Sequence, residues 1–444
     1  MTPHPDVVSS LRKEVIDWRL WASRAVVLIF AALSGLAVVL MTWATEEALA
    51  LFFKGQQVLW WGPLIWMPAS TAAIVWLTRR WMAGAAGSGI PQVMAALSTD
   101  VEPSSRHLFV SLKLAVAKLF MTTWGLLAGL SMGREGPSVQ LAAGVMHHAR
   151  CWLPERTHVT PHGLLMAGGA AGIAAAFNTP LGGVMFAIEE LSRRPEQRSN
   201  GLILGAIVLA GLMAVSVYGN ATYFGVIRVD SPSWALLLPG VAVALACGMA
   251  GGLFSRLLVM SLAGRSDDVF SRYRRRRPVL FAAGCGLAVA VLGVVSFGDV
   301  YGSGYLHTRT MLETGGDSHS PLYVLLKFVA TWLTAWSGVP GGIFAPSLAI
   351  GGALGQDVAQ WLSYPNAPTL IALGMAGFLA AVTQAPLTAF IIVMEMVDGH
   401  ALVLSLMGTA LLASGVSRLI SAPLYATLAQ LQLERLPPKP DGQG

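Results

Sequence analysis

The pentapeptide Gly133-Arg134-Glu135-Gly136-Pro137 sets a cation and an anion between glycines, immediately before a proline. Proline suits the first turn of a helix, where its missing N–H costs little, so Pro137 predicts a helix running toward Gly144. The flanking glycines let the backbone bend and leave amide N–H groups free to face an anion. A helix N-terminus also carries about +0.5 of an elementary charge. Gly133, Arg134 and Gly136 are therefore candidate anion-binding positions, and Glu135 is an anion supplied by the loop itself, able to occupy the place a free anion would take. A plain ion pair between Arg134 and Glu135 is the alternative. It leaves the glycine-rich helix start unexplained.

The same grammar recurs twice without charge. Gly341-Gly342-Ile343-Phe344-Ala345-Pro346 would expose the amides of Ile343 and Phe344 ahead of a helix opened by Pro346. Gly87-Ser88-Gly89-Ile90-Pro91 adds a hydroxyl donor at Ser88, and Ser88 with the backbone of Gly89 and Ile90 makes a further set of candidate anion-binding positions. A further acidic pair, Glu189-Glu190, follows the break at Asn178-Thr179-Pro180 and precedes Arg193 and Arg194. Capping or pairing with those arginines is the structural alternative for both glutamates. Other residues offer less. Adjacent His147 and His148 point in different directions on a helix, and the widely spaced Cys151, Cys247 and Cys285 form no CxxC pair, so no metal site or disulfide framework is expected and the cysteines read as small buried residues. Ser88 as a hydrolase nucleophile would need a His or Lys base that no motif supplies.

The elements that position these residues are membrane spans. Of 444 residues, 12% are charged and 55% hydrophobic, about half the usual charged share. So few charges cannot clothe a soluble chain of this size, which excludes a soluble enzyme, a nucleic-acid binder and a disordered scaffold. Apolar runs recur at 25–44, 58–77, 108–132, 163–188, 202–217, 234–263, 279–297, 322–336, 343–362, 370–382 and 387–420, several near the roughly 20 residues that cross a bilayer. Five breaks, at 87–91, 133–137, 178–180, 338–346 and 384–386, interrupt them. Unwound backbone at membrane depth survives only where protein buries it or a watery cavity receives it, so the five together predict a pathway. The GxxxG spacing at 351–355 reads as close helix packing.

The net charge is 29 − 23 = +6. Basic clusters at the N-terminus, at Arg79-Arg80, at Arg193, Arg194 and Arg198, and at 272–277 are assigned to the cytoplasm by the positive-inside rule, with both termini on that side. The polar residues 1–24 read as a retained amphipathic leader rather than a cleaved signal. The transmembrane domain follows at 25–429 and a short tail at 430–444. An internal repeat divides the domain. Gly169, Ala171, Gly172, Ala175 and Ala176 return 205 residues later, Pro180, Leu181 and Glu189 return 206 later, and Gly-Pro-Ser at 136–138 is echoed by Ala-Pro-Ser at 345–347. Two homologous halves, about 25–217 and 232–429, are expected to meet at a site of broken helices.

Taken together, the loops at 87–91, 133–137 and 342–346 and the late Tyr425 resemble the signature set of the CLC chloride channel and transporter family, in order and approximate spacing, over about 18–429. The resemblance implies an all-α polytopic fold with two inverted-topology halves and re-entrant helices, assembled as a homodimer with one pathway per subunit. It implies that Ser88, Tyr425, Ile343 and Phe344 hold a dehydrated chloride, that Glu135 gates, and that Glu190, ordered by Glu189, relays protons. Lys118 resembles a buried family lysine that raises the local positive potential. Exchange of chloride for protons across a bacterial inner membrane is the implied activity, with a passive anion channel as the alternative. Serine at position 88 implies a preference for chloride over nitrate or fluoride. No cofactor, nucleic acid or nucleotide partner is implied. Two departures stand out: Gln92 where many relatives have glutamate, and only 19 residues after Tyr425, too few for the regulatory pair of many eukaryotic relatives.

Overall fold

The computed structural model describes residues 17–155, 157–192, 201–219, 222–225, 234–264, 267–315, 320 and 322–435. Most of the predicted leader, the arginines at 193, 194 and 198 and most of the tail lie outside them. Eighteen α-helices and no strand occur among the described residues. In the first half these are α1 (Trp18–Val58), α2 (Gly62–Trp81), α3 (Ile90–Leu97), α4 (Leu112–Leu127), α5 (Glu135–His148), α6 (Pro161–Phe177), α7 (Pro180–Phe186) and α8 (Gly201–Tyr218). The second half holds α9 (Leu237–Ala263), α10 (Val269–Arg276), α11 (Pro278–Val295), α12 (Tyr305–Thr314), α13 (Tyr323–Ser337), α14 (Phe344–Trp361), α15 (Ala367–Thr383), α16 (Pro386–Met396) and α17 (Val403–Arg418), and α18 (Leu424–Leu433) follows.

Six helical segments are long and apolar enough to cross a membrane, while α6, α15 and α16 are shorter apolar helices. The apolar runs mark these elements imperfectly. The helix α1 starts at Trp18 and continues unbroken for 41 residues, because Arg19, Arg24, Glu46 and Glu47 interrupt hydropathy without interrupting the helix. Conversely, 387–420 is two helices, parted where Asp398 takes a left-handed φ of 49°. Asn178 and Gln384, at φ 57° and 58°, end α6 and α15 in the same way, and each lies just before the proline that opens α7 or α16.

The helices α5, α6, α14 and α15 are buried along nearly their whole length, so these four form the centre and the other spans surround them. Their small residues make this packing dense. A Cβ on Gly351 would strike the Gly374 carbonyl and one on Gly355 the Leu370 carbonyl, so the GxxxG spacing joins α14 to α15 within one chain. Buried cysteines account for Cys247 and Cys285, but Cys151 is exposed, since it lies past the end of α5 rather than within a span.

The halves are inverted copies that meet about a pseudo-two-fold axis. Gly133 and Gly342, 209 residues apart, form an isolated antiparallel bridge, with each amide donating to the other carbonyl at 2.8 and 2.7 Å. A second reciprocal contact lies elsewhere on the interface. Glu189 accepts from Leu387 N and Thr388 N at 3.1 and 2.7 Å, and Glu395 accepts from Leu181 N and Gly182 N at 3.2 and 2.7 Å. When residue i touches the repeat-mate of j and j touches the repeat-mate of i, the two units are related by a two-fold operation.

Candidate functional site

Glu135 occupies the first turn of α5 and is 1% exposed. Its carboxylate curls over its own helix start, within reach of the Arg134 and Glu135 amides, and Oε2 accepts from Ala345 N at 3.4 Å. Ala345 belongs to the first turn of α14, so two helix N-termini converge on one carboxylate and both dipoles favour its charge. The Gly133–Gly342 bridge holds the two starts together. A Cβ on Gly133 would collide with that carboxylate, which explains the glycine. The Gly133 amide, expected to be free for an anion, is instead engaged by Gly342, because the loops must pair to bring the helix ends together.

Arg134 does not pair with Glu135. Its guanidinium turns to α1, 2.7 Å from Glu46, and also donates to Thr42 O, Thr45 Oγ1 and Tyr223 Oη at 3.2, 3.3 and 3.3 Å. Arg134, Glu46, Tyr223 and Glu135 line one cavity of about 720 Å³. Its other walls include Asp299, Tyr305 and His307.

Ser88 and Tyr425 line a separate cavity of about 390 Å³, together with Ile343 and Gln92. Left-handed Gly87 and Gly89, at φ 74° and 110°, make the turn that presents Ser88 just before α3. Two buried side chains fix this turn. Lys118 of α4 donates from Nζ to Ala85 O and Gly87 O at 2.6 and 2.7 Å, and Gln92 accepts from Gly89 N at 3.0 Å while donating to Ala86 O. The Gly89 amide, expected to face an anion, is thus satisfied by Gln92. Ile90 is fully buried as the first residue of α3.

Ser88 Oγ and Tyr425 Oη lie close enough to interact, yet neither makes a directed hydrogen bond within the protein. Buried hydroxyls without such partners cost roughly 1–3 kcal/mol each, so two together constitute donors for a ligand. The Tyr425 ring is held by stacking on Phe344, centroids 6.0 Å apart. A Cβ on Gly136 would run into Ser88 Oγ, so the residue after Glu135 touches the serine loop. One carboxylate and two hydroxyls are in this way brought between two cavities by α3, α5, α14 and α18.

Glu190 is 3% exposed and lies near enough to Tyr425 to act on it electrostatically. A single π-helical turn, Ala187–Leu191, follows α7 and carries both glutamates; such turns recur at functional positions. Glu189, half-buried, caps α16 as described above.

The sequence reading missed four residues. The amide that reaches Glu135 comes from Ala345, two residues past Ile343, because α14 begins at Phe344. Glu46 stood just past the apolar run 25–44, and Tyr223 stood in a loop. Lys327 is the fourth: fully buried in α13, it donates to Val300 O and Gly302 O at 2.9 and 2.8 Å, mirroring Lys118. Its signal was present as the same 209-residue offset, beside a second Gly-Ser-Gly at 302–304.

Comparison with known proteins agrees with this geometry. A family model described as voltage gated chloride channel matches residues 70–418. The H+/Cl− exchange transporter ClcA of Salmonella paratyphi A is 31% identical over 393 residues, covering 84% of this chain and 79% of that one. ClcA of Citrobacter koseri is 31% identical over 390 residues, covering 82% and 78%. Among solved structures, a slow cyanobacterial Cl−/H+ antiporter superposes with a TM-score of 0.76 over 94% of this chain and 98% of that one, at 24% identity. A CLC-type fluoride/proton antiporter gives 0.75 over 92% and 98%, at 23% identity. At these identities the two structures establish the fold.

Proposed function

The chain belongs to the voltage-gated chloride channel family, and from that premise we propose that it is a multi-pass secondary transporter exchanging chloride for protons. The observation that carries the proposal is the Glu135 carboxylate between the two cavities, held by the helix-start amides that a free anion would use. When ionised, Glu135 occupies the anion's place; when protonated, it loses its attraction for the two helix dipoles and swings toward the larger cavity. Like-charge competition couples the ions. A nearby chloride favours protonation of the carboxylate, and the ionised carboxylate displaces chloride. Ser88 and Tyr425 donate to chloride on the other side, with the Ile343 and Phe344 backbone completing the site, and Lys118 holds the serine turn in place. Glu190 passes protons between the interior and Glu135 along the side where chloride does not travel. The relatives named as H+/Cl− exchange transporters support exchange over a passive channel.

Both termini are assigned to the cytoplasm of a bacterial inner membrane, and the working unit is a homodimer. The test is proton movement driven by a chloride gradient in proteoliposomes. Wild-type protein is expected to move protons against their gradient, and Glu135→Gln to keep anion flux while losing proton coupling, because the amide cannot carry the proton. Chloride-driven proton uptake at the wild-type rate in Glu135→Gln would overturn the assignment.

A further inference from the structure

The two cavities differ in charge. The one above Glu135 contains Glu46, Asp299 and Arg134; the one reaching Ser88 and Tyr425 has Arg274 and Arg435 as its only charged lining residues. Arg274, on the short helix α10, is anchored by one bond, from Nη1 to Ser261 O at 3.0 Å. Arg435 lies in the turn that ends α18, the helix whose first turn bears Tyr425. Among the described residues neither guanidinium has a carboxylate partner, although Arg275 beside them pairs with Asp267. Burial first, then the proximity of Arg435 and Arg79, push Arg274 down to about 10, still well above neutral pH, so Arg274 keeps its charge there. Gln432, in the last turn of α18, lines the same mouth and has a buried side-chain oxygen without a partner.

We propose that this mouth binds an oxyanion of the phosphate class across Arg274 and Arg435, and that the bound oxyanion obstructs chloride's route to Ser88 and Tyr425. A spherical halide must share one centre between the N–H groups of a guanidinium, whereas two oxygens of a tetrahedral oxyanion match its planar fork with parallel bonds. Unpaired cations in a cleft with apolar walls also focus the field on an anion. The acceptor oxygen of Gln432 takes the proton of hydrogen phosphate. The cavity, about 390 Å³, accommodates inorganic phosphate or the terminal phosphate of a lipid headgroup, both presenting the same chemistry.

The inference adds a ligand to the inner cavity and rests on the transport reading only for its effect on flux. Full-length protein in phosphatidylcholine vesicles is assayed for chloride flux with inorganic phosphate on both faces, against gluconate at equal ionic strength. Phosphate should slow wild-type flux several-fold, with relief by added chloride, and should slow Arg274→Gln/Arg435→Gln less than two-fold. Slowing that appears only when phosphatidic acid is included, and disappears in the double variant, assigns the site to the lipid headgroup. Absence of slowing by either source, or equal slowing in the double variant, overturns the proposal. Binding is also read without transport: phosphate should raise the unfolding temperature of detergent-solubilised wild type and leave the double variant unmoved. Protein that moves no chloride but shows this difference retains the site and loses the transport reading. Intact flux with no response to phosphate or phosphatidic acid in either assay does the reverse.

Discussion

In the proposed site, Ser88 and Tyr425 divide one task between two hydroxyls. Each would give a single directed hydrogen bond to a spherical ion, replacing part of the water that chloride leaves behind. A hydrogen bond to a charged group contributes roughly 1.5–3 kcal/mol, so removal of one should cost roughly ten- to a hundred-fold in chloride affinity. Ser88→Pro removes the donor and opens space for a planar oxyanion. Wild-type protein is expected to move chloride and bromide faster than nitrate or fluoride under matched gradients, and Ser88→Pro to shift toward nitrate with Glu135 still coupling. An unchanged nitrate preference in that variant would show that the serine turn does not set selectivity. Ser88 and Glu135 could be read from the sequence because glycine and proline cluster at their helix starts, whereas Tyr425 came only with the family resemblance. Ala345 and Glu46 could not, since an alanine amide and a glutamate just past an apolar run acquire their roles from elements more than eighty residues away.

Glu189 and Glu190 are consecutive, yet the elements around them give them opposite work. The π-turn directs Glu190 into the protein and leaves Glu189 at the start of α16, where its carboxylate serves two orphan amides. Glu395 does the same for α7. Loss of a helix cap costs roughly 0.5–2 kcal/mol. Glu189→Ala and Glu395→Ala should therefore each lower the unfolding temperature in detergent while leaving the ratio of chloride to protons unchanged. Glu190→Gln is expected to do the reverse, keeping the fold and anion flux and abolishing proton flux. If Glu190→Gln loses both fluxes while folded, the residue is structural; if Glu189→Ala changes the ratio at full stability, the division made by the π-turn is wrong. The repeat offset exposed Glu395 as the mate of Glu189 in the sequence, but spacing alone could not show that each caps the other half. That contact depends on the two halves facing each other about an axis.

The whole molecule places every candidate residue of the pathway on one chain. α3, α5 and the π-turn come from the first half, α14 from the second, and α18 closes the smaller cavity. Both cavities are lined by residues of both halves, and the pairing of Gly133 with Gly342 means that one half cannot assemble the site without the other. The chloride and proton steps proposed above therefore run through residues of a single subunit. In the proposed homodimer, the two pathways should work independently. A covalently linked tandem of one wild-type subunit and one Glu190→Gln subunit is expected to give about half the proton flux of a wild-type tandem. Its wild-type half should couple as before, while chloride continues through both. Proton flux near zero in the mixed tandem would mean that the subunits act together, and the pathway would then have to extend across their interface rather than through the centre of each chain.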